Sequence, residues 1–468
     1  MLQKNTIYII GVSLIAIIFI IYLASIMFSS SGAVSNLISL QLQSVPLSSD
    51  ISALFNNNLR TTIKASDKNQ DVDLFLLSQD YSFFITQNDK FFENNDNSKI
   101  NKYSNNFYNY QFSSSLHILS NRTKAAFTKY KFASKAEENF IFCGENKCEK
   151  NSINVKNLNF MLAEDPFDKI SGGIGLAPLK FIFQGEVNLF NELYNEKYIN
   201  YPVWFIDYEE NGVKKLVIGK FPYEINHNLN QDNYEFVTIA DNGNLWEVKA
   251  VKIQIGYDHD NDEEYIIKEK LMIFEPESSS VYGPREYYIK IKNIFFAKFF
   301  SNNKCKENTY NHQSTEYLYI SCDDDLSLKD FPPLVIDINN NIRAELTYED
   351  LFIKNNGQIL FLFVTDKIEK YSNDKWYMGD PFLKKYKPVY NQKNYKIGFY
   401  EVIKKNRTGT KFEAIFSFVI FSITIFVVIY LCLYIFRKYR NRKIRKAALE
   451  MKIEEISSKL ILNNTENK

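Results

Sequence analysis

Apolar and polar positions divide the chain into segments of different character. Two long apolar runs stand at residues 7–28 and 414–436, 22 and 23 residues long without a charge. Each is long enough to cross a hydrocarbon core of about 30 Å as a helix, and too long for an ordinary buried core helix. Between them, residues 51–405 read as short β-branched or alternating stretches parted by Asn, Asp, Gly and Ser. Stretches 73–77, 215–218, 247–255 and 359–364 are examples, and such strand-and-turn spacing predicts an all-β fold. Helical patterning is sparse and clearest at 189–197. Stretch 29–50 is Ser-rich, contains Gly and lacks Lys and Arg, which reads as a linker. Past Lys446, the residues Leu449, Ile453, Ile456 and Leu460 form an apolar stripe at helical spacing. A solvated helix and a short coiled coil both fit that stripe.

Charge orients the two runs. Seven of the ten residues at 437–446 are Lys or Arg, and positive flanks stay in the cytoplasm. The tail 437–468 is therefore expected inside, and residues before 414 in the lumen or outside the cell. Lys4 precedes the first run and no basic residue follows it before Arg60, which gives the same topology. Run 7–28 reads as a signal anchor or as a cleaved signal peptide, whose apolar region is usually shorter. The formal net charge of +1 excludes the basic balance a nucleic-acid partner needs. Aromatic content of 16% favours strands.

Candidate chemistry is thin. Cys432 lies inside the second run, whereas Cys143, Cys148, Cys305 and Cys322 lie in the outer region. An even count in an oxidising compartment predicts two disulfides, Cys143–Cys148 and Cys305–Cys322, each closing a short loop. Zinc is the competing reading, disfavoured by the absence of a CxxC pair. Sequons at Asn121 and Asn406 predict outer-side glycosylation, whereas the sequon at Asn463 falls in the tail and should stay bare. His117, His227, His259 and His312 are far apart and read as surface or satisfied histidines. The acidic run 258–264 lacks the glycine-containing calcium-loop pattern and reads as a solvated hairpin tip. No metal or cofactor is expected.

An ordered set of segments resembles the pepsin-like aspartic peptidase family. Trp376, Gly379 and Asp380, followed by a short helical stretch and two strands, resemble the family's ending. Upstream, Cys322, a Ser-containing turn and Pro333-Leu334 leading into a strand fit the same pattern. In the first half, Phe167-Asp168 and the run Gly173-Ile174-Gly175-Leu176 fit a family strand, then 189–194 its helix, then 204–208 and 215–219 two further strands. The resemblance implies two β-rich lobes, 51–195 and 196–405, related by a pseudo-twofold axis with a cleft between them.

The family's two catalytic aspartates each stand in an aspartate-threonine-glycine turn and share one proton. Here Leu77-Ser78-Gln79 falls in the first turn, in the register set by Gln70-Asp71 before it and Phe83-Phe84-Ile85 after it. Sliding Asp80 into that place would put Ser78 and Gln79 in the buried strand and forfeit the match at Phe83-Phe84-Ile85. Glu275-Pro276-Glu277 falls in the second turn, ahead of Gly283-Pro284. Both aspartates are thus replaced, by Leu77 and Glu275, and both turn glycines by Gln79 and Glu277. These bulkier residues imply a wider or distorted cleft floor. The family's flap aligns loosely at 116–123 with Ser120 in its tyrosine slot, and its basic prosegment has no counterpart. Ser78, Gln79, Pro276, Glu277 and Ser120 are the cleft candidates. The resemblance therefore implies a membrane-anchored, non-catalytic protein that binds peptide or protein ligands. An endopeptidase with an altered dyad is the alternative.

Overall fold

The computed structural model describes residues 37–46, 55, 57–87, 108–121, 123–124, 130–143, 152–166, 170–178, 186–209, 212–240, 245–256, 266–312, 315–339, 342–368, 375–401, 403–404, 430, 433–454 and 456–457. Residues 1–404 and 405–468 form two separate compact units.

The first unit is built twice over on one plan. In its first half, strand Gln70–Leu77 pairs antiparallel with Asn57–Ala65 and parallel with Gly172–Gly175, which in turn runs antiparallel to Phe83–Thr86. In its second half, Ile266–Phe274 pairs antiparallel with Glu247–Ile255 and parallel with Lys375–Met378, which runs antiparallel to Val281–Tyr282. Parallel pairs buried on both faces should read as apolar runs. Phe83–Thr86 and Gly172–Gly175 are indeed buried throughout.

The two halves meet in a shared sheet. Strands Val203–Tyr208 and Val389–Asn391 lie side by side and antiparallel at its centre. Outward on one side come Lys214–Ile218 and then Ile38–Pro46; outward on the other come Lys396–Tyr400 and then Tyr234–Thr238. Trp204 faces Tyr390 across the centre, their rings stacked with centroids 3.9 Å apart. Both are fully buried and belong to one core that runs through both halves. The unit is therefore mostly β and bilobal, with six short α-helices among its described residues.

Several expectations change here. Stretch 29–50 has the composition of a linker, yet Ile38–Pro46 is a strand of the shared sheet. Ile38, Leu40 and Leu42 are buried while Ser39 and Gln41 are less so, a period-two signal hidden in polar composition. The division between halves does not fall at 195/196. Val203–Tyr208 and Lys214–Ile218 pair toward Ile38–Pro46, and their counterparts begin with Tyr234–Thr238. The end of helix Leu189–Asn195 resembles a boundary locally, but strand pairing decides the partition. Stretch 359–364 is two strands, Gln358–Phe361 and Phe363–Asp366. The fold is mostly rather than wholly β.

In the second unit, residues 433–454 are helical and exposed throughout. Leu449, Ile453 and Ile456 lie on exposed helical turns, as their spacing predicts. Run 7–28 lies outside the described residues, and so does run 414–436 except for Tyr430 and 433–436. Among the described residues no helix is long and apolar enough to cross a membrane.

Candidate functional site

Each half carries one exposed-edge turn where a buried strand ends, and the two turns are built alike. The Leu77 carbonyl accepts the Asp80 N–H at 3.2 Å, and the Glu275 carbonyl accepts the Ser278 N–H at 3.1 Å. The Ser82 carbonyl accepts the Gly175 N–H at 2.9 Å, and the Ser280 carbonyl accepts the Gly379 N–H at 3.1 Å. Strand register agrees: Leu77 pairs with Gly175, and Phe274 pairs with Met378, so Glu275 stands next to Gly379 as Leu77 stands next to Gly175. Leu77 and Glu275 are therefore equivalent positions. Asp80 is equivalent to Ser278 instead, and its carboxylate accepts the Ser82 N–H at 2.8 Å within its own loop.

The two glycines explain how each turn closes. A Cβ on Gly175 would lie 2.3 Å from the Tyr81 carbonyl carbon, and one on Gly379 would lie 2.2 Å from the Ser278 oxygen. Both contacts are with backbone, which cannot swing aside, so only glycine lets the returning strand pass beneath the turn.

The side chains at the two equivalent positions do different things. Leu77 packs onto a small apolar cluster that includes Phe75, Phe84 and Met161. Glu275 reaches the other turn, where its Oε1 accepts the Gln79 Nε2–H at 2.9 Å. The reverse link is made by Glu277, whose Oε1 accepts the Ser78 backbone N–H at 2.7 Å. The turns that lack glycine are thus joined across the gap through side chains rather than backbone to backbone. Pro276 between the two glutamates is buried. Burial first, and then the neighbouring Glu277 charge, push the Glu275 carboxyl up from 4.5 to about 7, while the Gln79 hydrogen bond opposes them. Glu275 keeps a partly exposed surface, so solvent tempers what that shift is worth in energy.

Chemically, the site holds one elevated carboxyl with a second carboxylate beside it on the same turn, and an aliphatic side chain at the equivalent position on the other turn. Among the described residues no group of His, Cys, Asp or Glu has the arrangement of a metal site.

Other candidates fall elsewhere. Ser120 is not at the tip of a hairpin. Strands His117–Ile118 and Thr123–Lys124 both pair with Tyr130–Phe142, so Ser120 lies between two paired segments, and residues 125–129 lie outside the described set. Ser120 instead lies along the ladder, with its Oγ accepting the Lys135 N–H at 2.9 Å. Two strands of two residues each give no period that fixes a register in the sequence. Asn121 is exposed, while Asn406 and Asn463 lie outside the described residues. Cys305 and Cys322 face each other on paired strands and form a disulfide. Cys143 is also disulfide-bonded, and Cys148 lies outside the described residues. His117 and His227 are exposed, His312 lies at a strand end, and His259 and run 258–264 are outside the described residues.

Two contacts between halves were not legible beforehand. Phe55, which precedes the first-half strand Asn57–Ala65, is buried among second-half residues and stacks on Tyr310 at 4.9 Å. Its carbonyl accepts the Ser279 N–H at 2.9 Å, which ties it to the Glu275 turn. Buried Asp380 accepts hydrogen bonds from Lys214 at 2.9 Å and Tyr208 at 3.2 Å, both on first-half strands of the shared sheet. A lone Phe and a lone Asp carry no pattern that names such distant partners.

Residues 87–402 match the profile of the eukaryotic aspartyl protease family, a span that takes in the Glu275 turn and begins just past the Leu77 turn. No curated protein matches the chain. The profile match covers more than half of the 468 residues, the duplicated halves share one plan, and the chain belongs to the eukaryotic aspartyl protease family.

Proposed function

We propose that this chain is a non-catalytic, membrane-anchored member of its family that binds peptide or protein ligands in the cleft between its halves, in the lumen or outside the cell. The observation that carries the reading is Leu77 at the position equivalent to Glu275. Peptide hydrolysis by this family uses two carboxyl groups that share one proton and act as base and acid on a water. Leucine neither holds nor passes a proton, and its side chain is committed to packing against Phe75 and Phe84. Glu275 is in turn engaged by Gln79. Membrane anchoring rests on the apolar runs 7–28 and 414–436 and on the basic flank 437–446.

One observation favours the alternative, an endopeptidase with an altered dyad. Glu275 and Glu277 lie on one turn and interact, and Glu275 titrates near neutrality. Paired carboxylates of that kind can divide acid and base roles.

Calorimetric titration of the detergent-solubilised full chain separates the two. The probe is a peptide inhibitor whose central hydroxyl mimics the attacking water. A non-catalytic cleft binds it no more tightly than the same peptide lacking the hydroxyl. Clearly tighter binding of the hydroxyl form, lost in Glu275→Gln, would favour the alternative. For topology, glycan is expected on Asn121 and absent from Asn463; the reverse pattern would overturn the outer placement.

A further inference from the structure

We infer that the basic helical segment 437–446 is a binding site for anionic phospholipid headgroups, formed as a collar around the chain where run 414–436 ends. This inference rests on the membrane reading above and adds a ligand class to it. Residues 433–454 are one helix, exposed along its length. On it stand Arg437, Lys438, Arg440, Arg442, Arg445 and Lys446, and the first acidic residue after Phe436 is Glu450. Between Phe436 and Glu450 the chain therefore carries basic residues and no acidic one.

The distribution of that charge selects the partner. At about 100° per residue these six side chains spread over about 240° of the helix circumference, wider than one face. A peptide or a nucleic-acid groove approaches a helix from one side. A headgroup layer pierced by a helix surrounds it, and only that geometry engages all the basic residues together. The ten residues rise about 15 Å at about 1.5 Å each, enough to cross the headgroup layer and enter the first aqueous layer, within a Debye length of about 8 Å at physiological salt. Polybasic segments just cytoplasmic of a membrane run are attracted to the anionic leaflet by this charge. Tyr434 and Tyr439 flank the junction and are exposed, as expected of aromatic rings with a polar tip at the membrane–water boundary.

The test uses the full chain reconstituted in phosphatidylcholine vesicles with a trace of spin-labelled phosphatidylserine or spin-labelled phosphatidylcholine. Electron spin resonance reads the fraction of each label immobilised on the protein. The expected result is several-fold stronger association of phosphatidylserine, weakened in 1 M salt, where the Debye length falls to about 3 Å. Replacing the six named Arg and Lys residues with Gln should abolish the preference, and exchanging the four Arg for Lys should keep it. Since the segment is exposed and packs on no core, neither variant disturbs folding. Equal association of both labels with the inserted wild-type chain overturns the proposal while leaving the membrane reading intact. A preference that survives the Gln variant also overturns it, since the site would then lie elsewhere. A chain that does not float with the vesicles overturns both.

Discussion

Gln79 and Glu275 meet across the junction of the two halves, the amide Nε2–H donating to Oε1 at 2.9 Å. Together with the Ser78 N–H on Glu277 at 2.7 Å, it binds two turns that would otherwise meet through glycine. The junction has therefore been rebuilt around carboxylates, and its strength should depend on their protonation.

Stability should fall as pH rises through neutrality. Burial and the Glu277 charge raise the Glu275 carboxyl from 4.5 to about 7. The folded chain then holds a proton that the unfolded chain releases, so this group's contribution is complete below its unfolded value and is lost as pH rises through about 7. Thermal unfolding followed at a series of pH values should give a lower midpoint above pH 7 than near pH 5. Glu275→Gln should flatten that difference. An unchanged slope in the variant would assign the effect to other groups.

Substituting the glycines beneath the turns should be costly. Gly379→Ala places a methyl group 2.2 Å from a backbone oxygen, and Gly175→Ala places one 2.3 Å from a backbone carbon. Overpacking typically costs about 1–3 kcal/mol, and rigid backbone neighbours put both substitutions at the upper end. Urea unfolding of each variant checks this. A loss below about 0.5 kcal/mol would show that the turns move more freely than their packing indicates.

How far the chain could be read in advance follows from where its signals are local. Strand Glu247–Ile255 and helix Leu189–Asn195 announce themselves by alternation and by apolar spacing, and the structure has both. Ile38–Pro46 is hidden because its polar residues, Ser39, Gln41 and Gln43, resemble a linker, and only pairing with the distant strand Lys214–Ile218 makes its alternation part of a sheet. The expected places of Leu77 and Glu275 rest on local landmarks, Gln70-Asp71 and Phe83-Phe84-Ile85 around the first turn and Gly283-Pro284 after the second. The contacts of Gln79, Phe55 and Asp380 were not legible, since each depends on a residue from the other half of the chain. Pairings of that kind are fixed by topology, and local pattern carries none of it.

Removing the Cys305–Cys322 bond should destabilise the second half. Its cysteines are 17 residues apart, and a native disulfide closing a loop of that size typically contributes about 2–4 kcal/mol. The double variant Cys305→Ser, Cys322→Ser should lower the urea midpoint accordingly. Peptide mapping without reduction should recover this link and a second one that contains Cys143, with Cys148 as its expected partner. Four free thiols would overturn both the pairing and the lumenal placement.

Restoring one acid should not restore chemistry. Leu77→Asp would set a partly buried carboxylate against the cluster of Phe75, Phe84 and Met161, while Gln79 still occupies Glu275. Partial burial without a partner disfavours the charged form of the new group. The variant is expected to be less stable than wild type and equally inactive. Measurable peptide cleavage by Leu77→Asp would show that the rebuilt junction tolerates a working dyad.

The central claim is that this member of the family does not hydrolyse peptides. Its most direct test is incubation of the purified full chain with an unfolded protein substrate from acidic to neutral pH, with fragments read by mass spectrometry. The prediction is no cleavage above a control without protein at any pH, since loss of one positioned acid or base alone costs about 10²–10⁴ in rate. Cleavage by the wild-type chain that disappears in Glu275→Ala would contradict it.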